Sequence, residues 1–140
     1  MSPDMEGLAR LERACDHESQ RLRILVVDDD ELVLTAIARW LEAQPGVEVR
    51  AFPSAEEALN ASSGRSFDVC LLDYSLGGVD GVMLGAMIRA LNPAARLILM
   101  TGFPSPSLER QAMEHGFASV LFKPVPAERL SELVLTGRGA

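Results

Sequence analysis

Lysine is almost absent from this 140-residue chain: of thirteen basic residues twelve are arginine, and Lys123 is the one lysine. Basic clusters interleaved with aromatics are missing too, and the formal charge is −7, which together argue against direct nucleic-acid binding. No apolar run approaches the roughly 20 residues of a membrane span. The basic-then-apolar layout of a secretory signal is also missing, so a cytoplasmic location is expected. Cysteine is scarce. Cys15 lies in a polar stretch and Cys70 in an apolar run, without metal-ligand spacing, so both read as unpaired thiols in a reducing compartment. Internal repeats and low-complexity segments are lacking, and the length suits one domain with a real core.

What the chain does have is an apolar run that stops abruptly at a carboxylate. In FDVCLLDYSLGGVDG, Val69, Cys70, Leu71 and Leu72 show no in/out alternation, so they read as a strand covered on both faces and ending at Asp73. Three other strand-like runs end in polar groups. Ile24 to Val27 leads into Asp28, Asp29 and Asp30, Leu97 to Met100 into Thr101, and Val120 to Phe122 into Lys123. Val47 to Phe52 alternates well enough for a further strand.

Helical spacing separates these runs. A helix over roughly Leu32 to Ala43 would bury Val33, Ile37, Trp40 and Leu41. Ser54 with Glu57 makes a capping box that opens a second helix. Gly81 to Leu91 reads as a third, with Met83, Leu84, Met87, Ile88 and Leu91 near one face and the methionines as core filler. A short helix spans Ser107 to His115, and Pro126 suits the first turn of a last helix through Leu135. His17 and His115 read as surface residues. Residues 1–21 read as a polar leader, although Met5, Leu8, Leu11 and Cys15 could line one face of a short helix. The main unit is expected over residues 22–136, with a tail at 137–140.

Strand then helix, five times over with short connections, predicts an α/β fold: a doubly wound parallel sheet with right-handed crossovers and helices on both faces. Asp28, Asp29, Asp73, Thr101 and Lys123 would then gather at one sheet edge, where such folds bind ligands. Crowded carboxylates raise one another's pKa, and a hard dication relieves them. Mg²⁺ takes oxygen ligands and keeps room for phosphate. One carboxylate, one hydroxyl and one ammonium would suit a phosphoryl group, with Asp73, alone at its strand end, as nucleophile.

As an ordered set these positions resemble the receiver domains of two-component response regulators. The matching segments are ILVVDDDE, LLDYSLGGVDG, LILMTGF and LFKPV, within about Arg23 to Leu135. The resemblance implies a flavodoxin-like sheet of order 2-1-3-4-5. It also implies Mg²⁺-dependent phosphoryl transfer to Asp73 from the phosphohistidine of a sensor histidine kinase or histidine phosphotransfer protein. The metal ligands would be Asp28, Asp29, Asp73 and the backbone carbonyl of Ser75; Thr101, Gly102 and Lys123 would receive the phosphoryl group, and the Lys123–Pro124 peptide would be cis. Asp30 would cap the first helix. The output would be an altered surface of the fourth helix, fifth strand and fifth helix, acting on a protein partner or a second copy in a homodimer, with no enzymatic output of its own.

Some positions depart from the family pattern. Gly77 replaces a usual proline and loosens the loop in principle. Val120 stands where a switching aromatic is usual, and neither Phe122 nor Phe103 is an evident substitute. Ser75 and Phe103 occupy positions that resemble the family's controls of dephosphorylation. Two other readings remain: a receiver-like interaction scaffold that is not phosphorylated, and a Mg²⁺ phosphatase of the haloacid dehalogenase type, which Asp28-x-Asp30 fits superficially but whose further acid pair is missing.

Overall fold

The apolar runs become five parallel strands. In the computed structural model, which describes residues 21–137, the order along the chain is β1 (Leu22–Val27), α1 (Glu31–Glu42), β2 (Val47–Phe52), α2 (Ala55–Gly64), β3 (Val69–Asp73), α3 (Gly81–Leu91), β4 (Arg96–Thr101), α4 (Pro106–Glu114), β5 (Phe117–Phe122) and α5 (Ala127–Gly137). The strands form one sheet of order β2-β1-β3-β4-β5. Every pairing is parallel, and β5 joins β4 with a register shift between Leu97 and Ile98. The expected fold class and strand order are both observed. The polar leader read from the sequence lies outside the described residues.

Two apolar layers hold the helices to the sheet. On one face Leu25, Val27, Cys70, Leu72, Leu97 and Leu99 pack under α2, α3 and α4. On the other, Ile24, Val26, Leu71, Ile98 and Met100 pack under α1 and α5. β3 is buried at every position, as a central strand covered on both faces must be. The Cys70 thiol sits in that strand, and burial pushes its pKa up to about 12. Among the described residues no helix is long and apolar enough to cross a membrane.

Caps set the helix starts. Asp30 accepts from the Leu32 and Val33 amides, as expected. Ser54 accepts from the Glu57 amide and donates its hydroxyl to the Glu57 carboxylate, the expected capping box. Asp80 and Ser105 cap α3 and α4 in the same way. Pro126 lies just before α5 rather than in its first turn, and its carbonyl accepts from Arg129 and Leu130. That helix also runs into the expected tail, through Gly137.

Helix faces were the weaker part of the sequence reading. In α1 the buried positions are Leu34, Ile37, Ala38 and Leu41, with Val33 and Trp40 only partly covered. In α3 they are Gly81, Val82, Leu84, Gly85 and Ile88. Met83 and Met87 are therefore not core filler: they are 53% and 43% exposed, and Leu91 is 50% exposed. Small Gly81 and Gly85 bring α3 so close to the sheet that its buried face rotates toward them.

Gly81 sits directly against the end of β3. A Cβ there would run into the Asp73 carbonyl and come within 2.9 Å of Leu99 Cδ1. Backbone cannot yield as a flexible side chain can, so Gly81→Ala is expected to cost about 1–3 kcal/mol in urea unfolding. Gly78→Ala, with nothing within 4 Å of the new methyl, should stay within about 1 kcal/mol of the parent protein.

Candidate phosphoryl-acceptor site

Parallel strands deliver their carboxyl ends to one edge of the sheet, and the polar residues that end them meet there. Asp28, directly after β1, is fully buried; Asp73, the last residue of β3, and Thr101, the last of β4, are buried too. Lys123 follows β5 and is half-buried, while Asp29 is exposed at the rim. One carboxylate oxygen from each of Asp28, Asp29 and Asp73 lies within 4.8 Å of the others.

Lys123 ties this cluster together. Its Nζ lies 2.8 Å from Asp28 Oδ2 and 3.2 Å from Asp73 Oδ1. Asp28 Oδ1 accepts from the Asp30 amide at 2.9 Å, so the buried carboxylate is held on both sides. The Lys123 amide donates to the Thr101 carbonyl at 2.8 Å, which locks the end of β5 to the end of β4. Thr101 Oγ1 accepts from the Phe103 amide at 3.1 Å. The Lys123–Pro124 peptide is cis.

Charge crowding leaves a mark on the acid–base properties. Burial, then the neighbouring Asp28 charge, pushes Asp73 up to about 6, against the downward pull of Lys123. Burial works against the lysine's charge, but its hydrogen bonds and the charges of Asp28 and Asp73 outweigh that, and its pKa rises. Oxygens from three carboxylates, two of them paired with one ammonium, make a hard, oxygen-rich site, which fits a divalent cation.

The loop after Asp73 is better anchored than its glycines suggest. Tyr74 donates to the Met100 carbonyl at 2.8 Å and accepts from the Gly81 amide at 2.8 Å. Ser75 and Asp80 pair across the loop as an antiparallel bridge. Gly77 adopts φ +78, which proline's ring forbids, so the loop follows a path that the family's usual proline would not permit. Gly102 is exposed, with open space around it. Val120 is half-buried against the α4-side core, while Phe122 and Phe103 are 50% and 89% exposed. Neither phenylalanine occupies the place of an aromatic at 120. The sequence reading missed Leu32, which lies 84% exposed two residues beyond Asp30; its only signal was that it falls off the Leu34–Ile37–Leu41 stripe.

The model of the response regulator receiver domain family matches residues 24–135. The chain belongs to that family. As a receiver domain it is 34% identical over 112 residues to the transcriptional regulatory protein ZraR of Salmonella typhimurium, covering 80% of this chain and 25% of that one. It thus spans about a quarter of the length of that relative. Among solved structures, it is similar to a CheY-like receiver domain protein of Methanospirillum hungatei, with TM-score 0.78, 29% identity, and coverage of 84% of this chain and 94% of that one. A response regulator of Burkholderia pseudomallei is similar at TM-score 0.75 and 31% identity, over 84% of this chain and 69% of that one. Its structure carries a phosphorylated aspartic acid, a calcium ion and citrate.

The pKa of Asp73 yields a sign for the metal-free receiver domain. Its folded value, about 6, lies above the ordinary 3.8, so ionising Asp73 weakens the fold at neutral pH and costs nothing once both states are protonated. Asp73→Asn is therefore expected to stabilise the chelator-treated protein at pH 8 by about 1–3 kcal/mol. The gain should fade as pH falls through about 6 toward 4, read from urea midpoints across that range.

Proposed function

We propose that this receiver domain is a phosphorylation switch in a two-component phosphorelay, with Asp73 as the acceptor. The observation that carries the reading is the Asp28–Asp29–Asp73 cluster at the carboxyl edge of the sheet, with Lys123 paired to Asp28 and Asp73. An Asp73 oxygen attacks the phosphorus of a phosphohistidine presented by a sensor histidine kinase or a histidine phosphotransfer protein. The P–N bond breaks, the histidine leaves with the bonding pair, and an acyl phosphate forms that water later cleaves.

Asp28, Asp29, Asp73 and the Ser75 carbonyl would hold Mg²⁺, which when bound offsets the negative charge of carboxylates and phosphoryl oxygens. Lys123 moves from the Asp73 carboxylate to a phosphoryl oxygen, and the Thr101 hydroxyl, with the Gly102 backbone beside it, takes another. The Lys123 and Thr101 strand ends are hydrogen-bonded together, so a pull on both side chains reaches α4, β5 and α5, the surface we assign to partner binding. Valine at 120 leaves no aromatic rotamer to report the change, so the signal is carried by the displacement of these strand ends.

The receiver unit over residues 22–136 acts on a protein, with no catalytic output and no nucleic-acid contact of its own, in keeping with the −7 charge of the whole chain. A homodimer through the output surface is compatible with this role. The haloacid dehalogenase reading loses its main support, because the Asp30 carboxylate is engaged in capping α1.

The direct test is intact-mass analysis after incubation with Mg²⁺ and a small-molecule phosphodonor. One added phosphoryl group is expected, lost with hydroxylamine and absent in Asp73→Asn and in a chelated sample. No adduct on folded, Mg²⁺-binding protein would favour the scaffold reading. Donor hydrolysis that survives Asp73→Asn but not Asp28→Asn would instead revive the phosphatase. Lys123→Arg should lower labelling at least about tenfold, because a planar guanidinium cannot replace a compact ammonium between two carboxylates.

A further inference from the structure

Among the described residues four arginines are partly buried, namely Arg23, Arg65, Arg89 and Arg96, and three of them have partners. Arg23 and Arg65 share the Glu48 carboxylate, and Arg89 donates from Nη2 to the Ala95 carbonyl at 2.7 Å. Arg96 is the exception. Its side chain makes no hydrogen bond or ion pair among the described residues, although its Nε is shut off from solvent. A shielded N–H without an acceptor is costly, so it calls for one.

That guanidinium lines a depression of about 180 Å³ together with Ser119 and Leu121 of β5 and Arg129, Glu132 and Leu133 of α5. The root of the side chain is fixed, because Arg96 stands beside Val69 in the sheet and its amide donates to the Asp68 carbonyl at 2.9 Å. Leu121 and Leu133 belong to the apolar layer under α5, so part of the lining is apolar, and Ser119 adds a hydroxyl. The depression is separate from the acceptor cluster. Arg96 begins β4 and Thr101 ends it, about 17 Å away at about 3.3 Å per residue.

The charge of the lining selects the guest. Two guanidiniums and one carboxylate leave a single positive charge, and Arg129 is already paired with Glu132 at 3.1 Å. A monoanion satisfies that charge, whereas the second charge of a phosphate dianion would meet Glu132. The Nε edge of a guanidinium presents two parallel N–H groups, which match the two oxygens of a carboxylate. A short alkyl chain behind that carboxylate suits the two leucines.

We propose that this depression is a binding site for an aliphatic carboxylate, held side-on by Arg96 through Nε and one Nη, with the Ser119 hydroxyl as a further donor. It does not depend on phosphorylation of Asp73. Two of its walls, β5 and α5, belong to the surface assigned above to partner binding, so the carboxylate comes either from a small free acid or from a glutamate side chain of a docked protein.

Propionate is the first probe, titrated into the ¹⁵N-labelled, metal-free full chain at pH 7 against sodium chloride of equal ionic strength. The Arg96 Nε–H resonance and the amides of Ser119, Leu121 and Leu133 are expected to shift together and saturate, with half-saturation at about 1–10 mM. Arg96→Gln should weaken binding at least about tenfold. Glu132→Gln, which removes the opposing charge, should tighten it about two- to fivefold, a gain that a damaged fold cannot produce. Shifts that chloride reproduces, that persist in Arg96→Gln, or that do not saturate by about 100 mM overturn the proposal. Unchanged affinity in Glu132→Gln overturns the charge selection on which it rests. A second arm compares acetyl-leucyl-glutamyl amide with propionate and with its glutaminyl twin. Glutamyl binding at least about tenfold tighter than propionate and lost in the twin assigns the site to a partner's acidic side chain, and glutamyl binding no tighter than propionate assigns it to a free acid. Equal binding of the two peptides overturns recognition of a carboxylate.

Discussion

Three carboxylates crowd the end of one sheet, and a single ammonium holds two of them together. Lys123 reaches both Asp28 and Asp73, and the backbone that positions it is pinned to Thr101. Burial first, and the Asp28 charge second, push Asp73 above the ordinary aspartate range even with the lysine beside it. A site in that condition gains by taking up positive charge. The scarcity of lysine is informative here: arginine serves wherever surface charge is needed, and the one compact ammonium stands where a planar fork would not fit between two carboxylates.

Most of the fold was legible because strands buried on both faces are written as unbroken apolar runs, and β3 is the clearest case. Capping residues were equally readable, since Asp30, Ser54 and Glu57 act through local hydrogen bonds that follow from spacing alone. The polar groups of the site were found from the same logic: parallel strands place their last residues at one edge.

Helix faces were less legible, and α3 shows why. Its sequence, GVMLGAMIRAL, is apolar nearly all round, so periodicity could not separate the side that meets the sheet from the side that meets water. The choice was made by Gly81, which must lie against the Asp73 carbonyl, and by Gly85 against Phe117. Small residues set the closest approach, and the methionines were left outside. The loop after Asp73 misled in the opposite sense: two glycines suggest looseness, but the hydrogen bonds that restrain it belong to Tyr74, Ser75 and Asp80 and leave no signature in composition.

The Ser75–Asp80 pairing divides that loop into two parts with different tolerances. Residues on the Asp73 side of the pairing inherit the rigidity of the sheet, and beyond it Leu76 and Val79 still pack against the core, so that only Gly77 and Gly78 stand exposed at the tip. A side chain added at Gly78, where a new methyl would meet open space, can change the tip without displacing the carboxylate by much. A lineage of such proteins can thus vary the rim that an approaching partner meets while the chemistry beneath it stays the same.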